Sequence, residues 1–446
     1  ISSHLKWPDY HITVNLAPAE SIKQGARYDL PVALGLLIAS QQLPEAIAHR
    51  REFFGELGLD GSIRQCRGLL SAVVAATQAG CACGVAIEGA SVLASVTQSR
   101  IIAAPDLLSL CGQLQQPNPT LSVTNHSHDS APITYPDLSA IRGQPLLCRA
   151  LELAAAGGHH LLISGPPGIG KTLAASVLPG LLPPVTPAQR REVGLLRDLA
   201  GLPHCEAPPF RAPHHSSSIA ALMGGTSQAI PGEISMAHAG VLFLDELAEF
   251  PRAVLNQLRQ PLETGEITVS RAAHKHTYPA QFQLVAAMNP CPCGMTGRPE
   301  STCHCTPAAI QRYWRGVSGP LLDRIDLHIT IDRPPPDALL SKRPSKAHSK
   351  TVRERVIKLR ERQLTRQHCL NSALEGDQLI SVCRLAPKTH TWFVAAIKAL
   401  SLSARSAHRR LRVARTLADL GGSDTVSITH LETALSFREI DGQSAV

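Results

Sequence analysis

The segment best suited to chemistry is a glycine-rich loop that ends in a lysine and a threonine. Residues 165–172 read GPPGIGKT, the full spacing of a phosphate-binding P-loop. Glycines let backbone N–H groups turn toward phosphate oxygens, and the N-terminus of the following helix adds partial positive charge. We therefore predict that Lys171 contacts the β- and γ-phosphates of a nucleotide and that Thr172 coordinates Mg²⁺. The predicted nucleotide contacts are Gly165, Pro166, Pro167, Gly168, Ile169, Gly170, Lys171 and Thr172.

Two carboxylates follow an apolar run at residues 241–244. Four consecutive apolar residues are typical of a fully buried parallel strand, and Asp245 and Glu246 come directly after it. Asp245 is predicted to bind Mg²⁺, and Glu246 is predicted to orient and polarise the attacking water. The alternative for this pair is an acidic helix cap. The alternative for the P-loop is a glycine-rich turn that binds no nucleotide.

A third apolar run, residues 282–287, leads into Asn289, which could contact the γ-phosphate or the water. Open α/β sheets bind ligands at the carboxyl ends of their strands. The apolar strand at 160–164, the helix that starts after the P-loop and these two further strands therefore predict one nucleotide site at a common sheet edge.

The whole chain has the composition of a globular protein. It contains 446 residues, 44% hydrophobic and 17% charged, with a formal net charge of +8. Aromatic residues make up only 4%, which argues against a surface that holds single strands by base stacking. No apolar run reaches the ~20 residues of a membrane helix, and no signal peptide is visible. We therefore expect a cytoplasmic protein with no membrane partner.

At roughly 150 residues per domain, the length predicts about three domains. Composition shifts suggest an α/β domain at 1–112, a linker at 113–136, a second α/β domain at 137–332, a basic, proline-containing connection at 333–350 and a helical region at 351–446. Alternating residues predict a strand at 12–16, and an apolar run predicts a buried helix at 30–39. Because the chain begins with Ile1, we expect the first domain to be incomplete at its N-terminus.

Four of the twelve cysteines form one cluster. Cys291, Cys293, Cys303 and Cys305 make two Cys-x-Cys pairs separated by nine residues. Four thiolates suit tetrahedral Zn²⁺, and His304 offers a rival ligand. The alternatives are reduced thiols without metal or a disulfide.

These motifs together resemble AAA+ ATPases, more narrowly the magnesium-chelatase-like branch and within it the YifB/ComM competence-associated family. The resemblance implies an α/β fold class with a Lon-like N-terminal α/β domain, a P-loop AAA+ α/β core and a C-terminal α-helical lid. It also implies a hexameric ring with ATP between subunits. The segments that carry it, besides the P-loop and Asp245-Glu246, are 14–18 (VNLAP), 210–216 (FRAPHHS), 231–235 (PGEIS), 259–263 (RQPLE), 289–294 (NPCPCG), 322–324 (LDR) and 413–420 (VARTLADL).

The resemblance also implies roles for single residues. Arg142 and Gly143 lie where the family contacts adenine, Asn289 matches sensor 1, and Arg324 matches the arginine finger that completes a neighbouring subunit's site. Taken alone, Arg324 would more simply form a surface ion pair with an adjacent aspartate.

One arginine near the C-terminus is implied to be sensor 2. Arg405 matches that position, but Arg409, Arg410 and Arg412 are close enough in sequence to leave the assignment open. Residues three or four apart share a helix face. One of these arginines could therefore contact the γ-phosphate while the others bind DNA or face solvent.

The N-terminal segment resembles a Lon protease domain that has lost its chemistry. Such a protease needs a nucleophilic serine and a lysine base. No serine lies near residues 28–32 where the nucleophile would be, and Leu70 occupies the neighbourhood of the lysine. We predict no peptidase activity and an assembly or accessory role.

Two segments are candidates for DNA contact. Residues 267–270 and 276–278 alternate like the arms of a hairpin, with Arg271, His274 and Lys275 at the tip. Related helicases line their pore with such hairpins, and these cations would grip phosphates without reading sequence. The alternative is a solvated turn. The second candidate is Arg211 with the histidines at 214 and 215, which could instead be structural.

The combined prediction is a hexameric, ATP- and Mg²⁺-dependent DNA helicase that drives branch migration during natural transformation. Single-stranded and branched DNA are the expected partners, with recombination proteins as candidates. The rivals are a chelatase-type motor that remodels a protein and a Lon-like unfoldase. Residues 342–415 contain 18 Lys/Arg and 4 Asp/Glu, a local balance of +14, so we expect this segment to offer a basic surface to a phosphate-rich partner.

Overall fold

The computed structural model describes residues 5–17, 26–90, 93, 99–116, 133–225, 230–271, 274–296, 303–317, 319–334, 337 and 348–437, without the side chains of residues 270, 271 and 274. The chain forms two compact units. One comprises 1–131 with 186–206, and the other comprises 132–185 with 207–446.

The first unit is built on a parallel sheet of three strands in the order β1-β4-β5. Between β1 and β4 in the sequence, β2 and β3 form a separate short antiparallel pair. Its strands are β1 Arg51–Phe53, β2 Glu56–Leu57, β3 Ile63–Arg64, β4 Ala82–Ala86 and β5 Ile101–Ala104. Its helices are α1 Asp29–Ala39, α2 Leu69–Gln78, α3 Leu107–Leu114 and, later in the chain, α6 Pro187–Leu199.

Comparison with the sequence-based expectations shows one error in this unit. The helix predicted at 30–39 is confirmed as α1, with Leu30, Leu34 and Leu37 buried. The strand predicted at 12–16 is wrong, because this segment is irregular, with Val14 and Leu16 exposed. A strand needs a neighbour to satisfy its backbone N–H and C=O groups, and no strand among the described residues pairs with this one.

Helix α6 belongs to the first unit although it lies inside the range 137–332. A capping box starts it, with the Thr186 hydroxyl accepting from the Gln189 N–H. Near its C-terminus, Asp198 Oδ2 accepts from the Leu70 N–H at 2.8 Å, at the start of α2. The segment between the P-loop helix and the next core strand thus packs with the N-terminal unit.

The second unit contains a five-stranded sheet in the order β12-β6-β11-β8-β7, with every neighbouring pair parallel. Because all five run the same way, their carboxyl ends meet at one edge. An antiparallel hairpin, β9–β10, is separate from this sheet. The strands are β6 Leu161–Ser164, β7 Phe210–Arg211, β8 Val241–Leu244, β9 Glu266–Arg271, β10 His274–Pro279, β11 Gln283–Met288 and β12 Leu327–Thr330.

Helices flank this sheet and continue to the end of the described chain. The first of them are α4 Pro145–Gly157, α5 Lys171–Leu181, α7 Ile219–Met223, α8 Glu233–Met236, α9 Arg252–Gln257, α10 Arg259–Thr264, α11 Pro307–Gly316 and α12 Gly319–Leu322. Five more form the lid: α13 Ser349–Gln367, α14 Gly376–Cys383, α15 Pro387–Ala399, α16 Ala404–Leu420 and α17 Ile428–Ser436. Among the described residues no helix is both long and apolar enough to cross a membrane.

A buried polar chain joins the lid to the sheet. His159, just before β6, shares hydrogen bonds of 2.8 Å with Asp326 Oδ2 before β12 and with Thr416 Oγ1 on α16. Burial alone would raise the pKa of Asp326, but the charge of Arg412 and the hydrogen bond from His159 hold it well below its usual range. The lid is thereby fixed to the base of the strands that position the site.

Candidate nucleotide-binding site

The P-loop connects β6 to α5 in the conformation that its glycines allow. Gly168 and Gly170 have φ values of 74° and 93°, in the left-handed region that favours glycine. A Cβ on Gly165 would lie 2.6 Å from the Ile331 carbonyl oxygen, so a side chain there has no room. In the described part of the chain, no side chain caps the start of α5. Its first N–H groups can therefore serve an anion.

Lys171 is held over this loop by three hydrogen bonds. Its Nζ donates to Gly165 O at 2.7 Å, Pro166 O at 3.0 Å and Asn289 Oδ1 at 2.9 Å. Burial lowers the pKa of Lys171, and the charges of Asp245 and Glu246 oppose that change. The predicted P-loop lysine and the predicted sensor asparagine are thus in direct contact.

Thr172 and Asp245 meet across the two elements that carry them. Thr172 Oγ1 donates to Asp245 Oδ2 at 2.9 Å, and Asp245 Oδ1 accepts from the Glu246 N–H at 3.0 Å. Adjacent oxygens in an octahedron with bonds of about 2.1 Å lie roughly 3.0 Å apart. The two oxygens are therefore spaced as two ligands of one Mg²⁺.

Glu246 is exposed at the same edge and has a partner that the sequence did not indicate. Its backbone is left-handed, with φ 52°, and its Oε2 lies 3.2 Å from His215 Nδ1. The centroid of the His215 ring lies 4.1 Å from that of His214, with the two rings tilted by 35°, and the His215 ring meets Phe250 edge-on. The adjacent histidines at 214 and 215 were the feature of the sequence that could have indicated this contact. The sequence alone did not decide whether they contact DNA in a pore or have a structural role.

The predicted adenine contacts lie in the turn before α4. Gly143 has φ 68°, and Arg142 is exposed. Next to them, Gln144 Nε2 donates to the carbonyls of Ile169 and Asp332 at 3.2 and 3.4 Å. Gln144 Oε1 is buried, and no described residue forms a hydrogen bond with it.

Arg324 is already paired within its own chain. It forms an ion pair with Glu263 and donates to the Pro320 carbonyl, and its side chain is only 6% exposed. Burial and the charges of Arg405 and Arg259 lower the pKa of Arg324. Arg324 is therefore bonded within its own chain and within electrostatic reach of Arg259 and Arg405.

The arginines of α16 separate into one exposed residue and several that are buried or bonded within the chain. Arg405 is exposed at the start of α16. Arg409 is fully buried and donates to the carbonyls of Leu322 and Ile325 at 3.1 Å. The expectation that such arginines bind DNA or face solvent is wrong for Arg409, because its guanidinium is buried and bonded to the carbonyls of Leu322 and Ile325 and to the Asp323 carboxylate.

Other arginines of α16 also form hydrogen bonds or ion pairs within the chain. Arg410 and Arg415 are also buried, and Arg412 donates to the Ser372 carbonyl at 2.8 Å. Arg415 pairs with Asp419 at 2.9 Å. The local balance of +14 in residues 342–415 therefore overstates the basic surface that the lid offers.

The hairpin predicted between the core strands is present. β9 and β10 pair with Arg271 opposite His274 and Lys275 opposite Ser270. Lys275 is exposed, whereas the side chains of Arg271 and His274 lie outside the described part of the structure. The second DNA candidate, Arg211, donates from Nε and Nη2 to both oxygens of Glu233 at 2.6 and 2.5 Å.

The four clustered cysteines converge behind Asn289. Their sulfurs all lie within 4.8 Å of one another, with Cys291 3.3 Å from Cys293 and 3.8 Å from Cys303. Zn–S bonds of 2.3 Å in a tetrahedron place sulfurs about 3.8 Å apart. All four cysteines are free thiols, so the disulfide alternative is not realised and the donor set fits zinc.

The chain is similar to known proteins along most of its length. Family models match three segments: magnesium chelatase subunit ChlI over 137–339, its C-terminal region over 346–438, and subunit ChlI of Mg-chelatase over 1–89. The chain is 42% identical to protein YifB of Salmonella typhimurium over 446 residues, 99% of this chain and 87% of that protein. It is also 42% identical to competence protein ComM of Haemophilus influenzae over 447 residues, 98% of this chain and 87% of that protein. The chain therefore belongs to the YifB/ComM family of magnesium-chelatase-like AAA+ ATPases.

Proposed function

We propose that this protein hydrolyses ATP as a hexamer to move along DNA and migrate branches during natural transformation. The observation that carries the ATPase part is the meeting of Lys171, Thr172, Asp245, Glu246 and Asn289 at one sheet edge. The DNA part draws support from the β9–β10 hairpin, on which Lys275 is exposed, and from a relative named a competence protein.

The pocket residues have distinct tasks in this reaction. A polyphosphate competes with the carbonyls of Gly165 and Pro166 for the Lys171 ammonium, and the turned glycines present their N–H groups to it. Thr172 and Asp245 hold Mg²⁺, which neutralises phosphate charge when bound. Glu246 orients the attacking water and takes up its proton.

Two further features suit adenine recognition and a shared site between subunits. The unpaired Gln144 Oε1 beside Arg142 and Gly143 is an acceptor for an amino group such as that of adenine. The cluster of Arg259, Arg324 and Arg405 supplies positive charge for a neighbouring subunit's nucleotide. Release of Arg324 from Glu263 would accompany ring assembly.

The DNA claim is tested by the ATPase rate with and without single-stranded DNA. We expect stimulation in the wild type and its loss in an Arg271→Ala, Lys275→Ala double variant. A Lys388→Ala, Lys398→Ala double variant removes the same charge from exposed positions on α15 and should respond like the wild type. An unstimulated wild type would contradict the helicase. A chelatase-type motor would instead respond to a partner protein.

We also propose that Cys291, Cys293, Cys303 and Cys305 bind one structural zinc ion. The loop lies against the nucleotide edge, because a Cβ on Gly294 would meet Pro167 Cδ of the P-loop at 2.7 Å. Metal analysis of purified protein should find about one zinc per chain, reduced in Cys303→Ser. A metal content that this variant leaves unchanged would contradict the site.

A further inference from the structure

A cleft on the lid is lined by three arginines. It has a volume of about 320 Å³ and lies between α13 and the end of α14. Its lining residues are Arg362, Thr365, Arg366, Val382, Arg384 and Asp424. Three guanidinium groups and one hydroxyl thus face a single acidic side chain.

One of the three arginines, Arg366, is fixed in place by hydrogen bonds to other residues of the lid. Arg366 donates to both oxygens of Asp419 at 2.7 and 2.9 Å and to Asn371 Oδ1 at 3.0 Å. Asp419 also accepts from the buried Arg415. Burial alone would raise the pKa of Asp419, but the hydrogen bonds from Arg366 and Asn371 lower it. The floor of the cleft is therefore a rigid, ionised hydrogen-bond network, formed by Arg366, Asn371, Arg415 and Asp419.

The other two arginines are accessible. Arg362 pairs with Asp424 at 2.5 Å, with side chains 37% and 76% exposed, and exposed pairs of this kind contribute only about 0–1 kcal/mol. Arg384 follows α14 with φ 46° and has no ion-pair partner among the described residues. Counting Arg415 and Asp419 in the floor, four arginines face two aspartates, a local charge of +2.

We propose that this cleft binds a phosphate group of the DNA backbone. Arginine forks match phosphate oxygens in pairs, and a phosphodiester would replace Asp424 as the partner of Arg362. The lining has no aromatic side chain on which a base could stack, so the contact positions the strand without reading sequence. The choice of DNA as the phosphate source rests on the proposed function.

The first test measures single-stranded DNA binding by the full chain across a salt series. For an Arg362→Ala, Arg384→Ala variant we expect about tenfold weaker binding at moderate salt, and a slope of log K against log[salt] reduced in magnitude by about 0.7, the value for one phosphate of a single strand. A Lys388→Ala, Lys398→Ala variant is the charge-matched control and should keep the wild-type slope. The thermal unfolding midpoint confirms that each variant folds.

The second test does not depend on DNA activity. Phenylglyoxal modification of Arg384, followed by peptide mass mapping, should slow severalfold with single-stranded DNA or inorganic phosphate. Without protection by either, the cleft binds no phosphate and the proposal fails. Protection by phosphate alone, in a protein that binds DNA, would overturn the DNA assignment. If the wild type binds no DNA, the proposed function is overturned. Protection of Arg384 by inorganic phosphate then still tests whether the cleft binds phosphate.

Discussion

The nucleotide edge of the sheet and the lid helix α16 are both rich in charge, but the charges face opposite surroundings. At the sheet edge, Asp245 and Glu246 leave the end of a buried strand and reach accessible positions. On α16, Arg409 and Arg410 point inward and donate to backbone carbonyls. Charge at the sheet edge remains available for a ligand, whereas charge on this part of the lid holds protein segments together.

The difference teaches that a count of cations does not measure a binding surface. A guanidinium carries five N–H donors and can satisfy several carbonyls at once, so a buried arginine can be structural. At the sheet edge the P-loop lysine also binds carbonyls, but an anion can compete for it there. The following predictions separate these two kinds of charge.

The largest expected effect is on hydrolysis. Replacing Glu246 with Gln removes the base and should lower kcat by about 10²- to 10⁴-fold, with ATP binding retained. Glu249→Gln, an exposed change three residues later, is the control and should keep nearly the wild-type rate. Steady-state ATPase assays with a nucleotide-binding measurement decide it. A normal rate in Glu246→Gln would show that another group activates the water.

The next effect is on stability. Arg409→Ala leaves the carbonyls of Leu322 and Ile325 without their donor and opens a cavity, so we expect about 3 kcal/mol of destabilisation. Arg405→Ala changes an exposed residue on the same helix and should cost no more than about 0.5 kcal/mol while lowering ATPase activity. Denaturant unfolding and ATPase assays on both variants test this contrast. Equal stability of the two would contradict the structural role of Arg409.

A smaller effect concerns pH. Burial lowers the pKa of His160 to about 4, and its Nδ1 accepts from the Leu284 N–H at 2.9 Å. The unfolded chain takes up this proton below about pH 6.5, while the folded protein resists until about pH 4. Stability should therefore fall by about 2 kcal/mol between pH 7 and pH 5. His160→Asn, which keeps an acceptor, should remove much of this loss in unfolding midpoints measured at both pH values.

The smallest expected effect tests the contact between His215 and Glu246. If His215 positions the carboxylate, His215→Ala should reduce kcat roughly three- to tenfold, about 1 kcal/mol, and alter the pH profile. His215→Asn retains a donor and should restore part of the rate. An unchanged rate and profile in His215→Ala would leave the histidine with a packing role only.

Local sequence patterns predicted much of the nucleotide edge. The strand at 241–244 is confirmed at both ends, because four apolar residues followed by two acids suit only a buried strand that ends at the surface. The glycines of the P-loop and the paired arms of the hairpin are likewise local features. The strand at 12–16 failed because alternation alone does not supply a pairing neighbour.

The sequence by itself determined which residue types stand at the ends of the core strands, since chain spacing and backbone preference act over a few residues. Only the tertiary structure decided that Arg324 meets Glu263, that Glu246 meets His215 and that Arg409 is buried while Arg405 is exposed. Those outcomes depend on segments far apart in the chain, because burial and hydrogen-bond partners are set by packing.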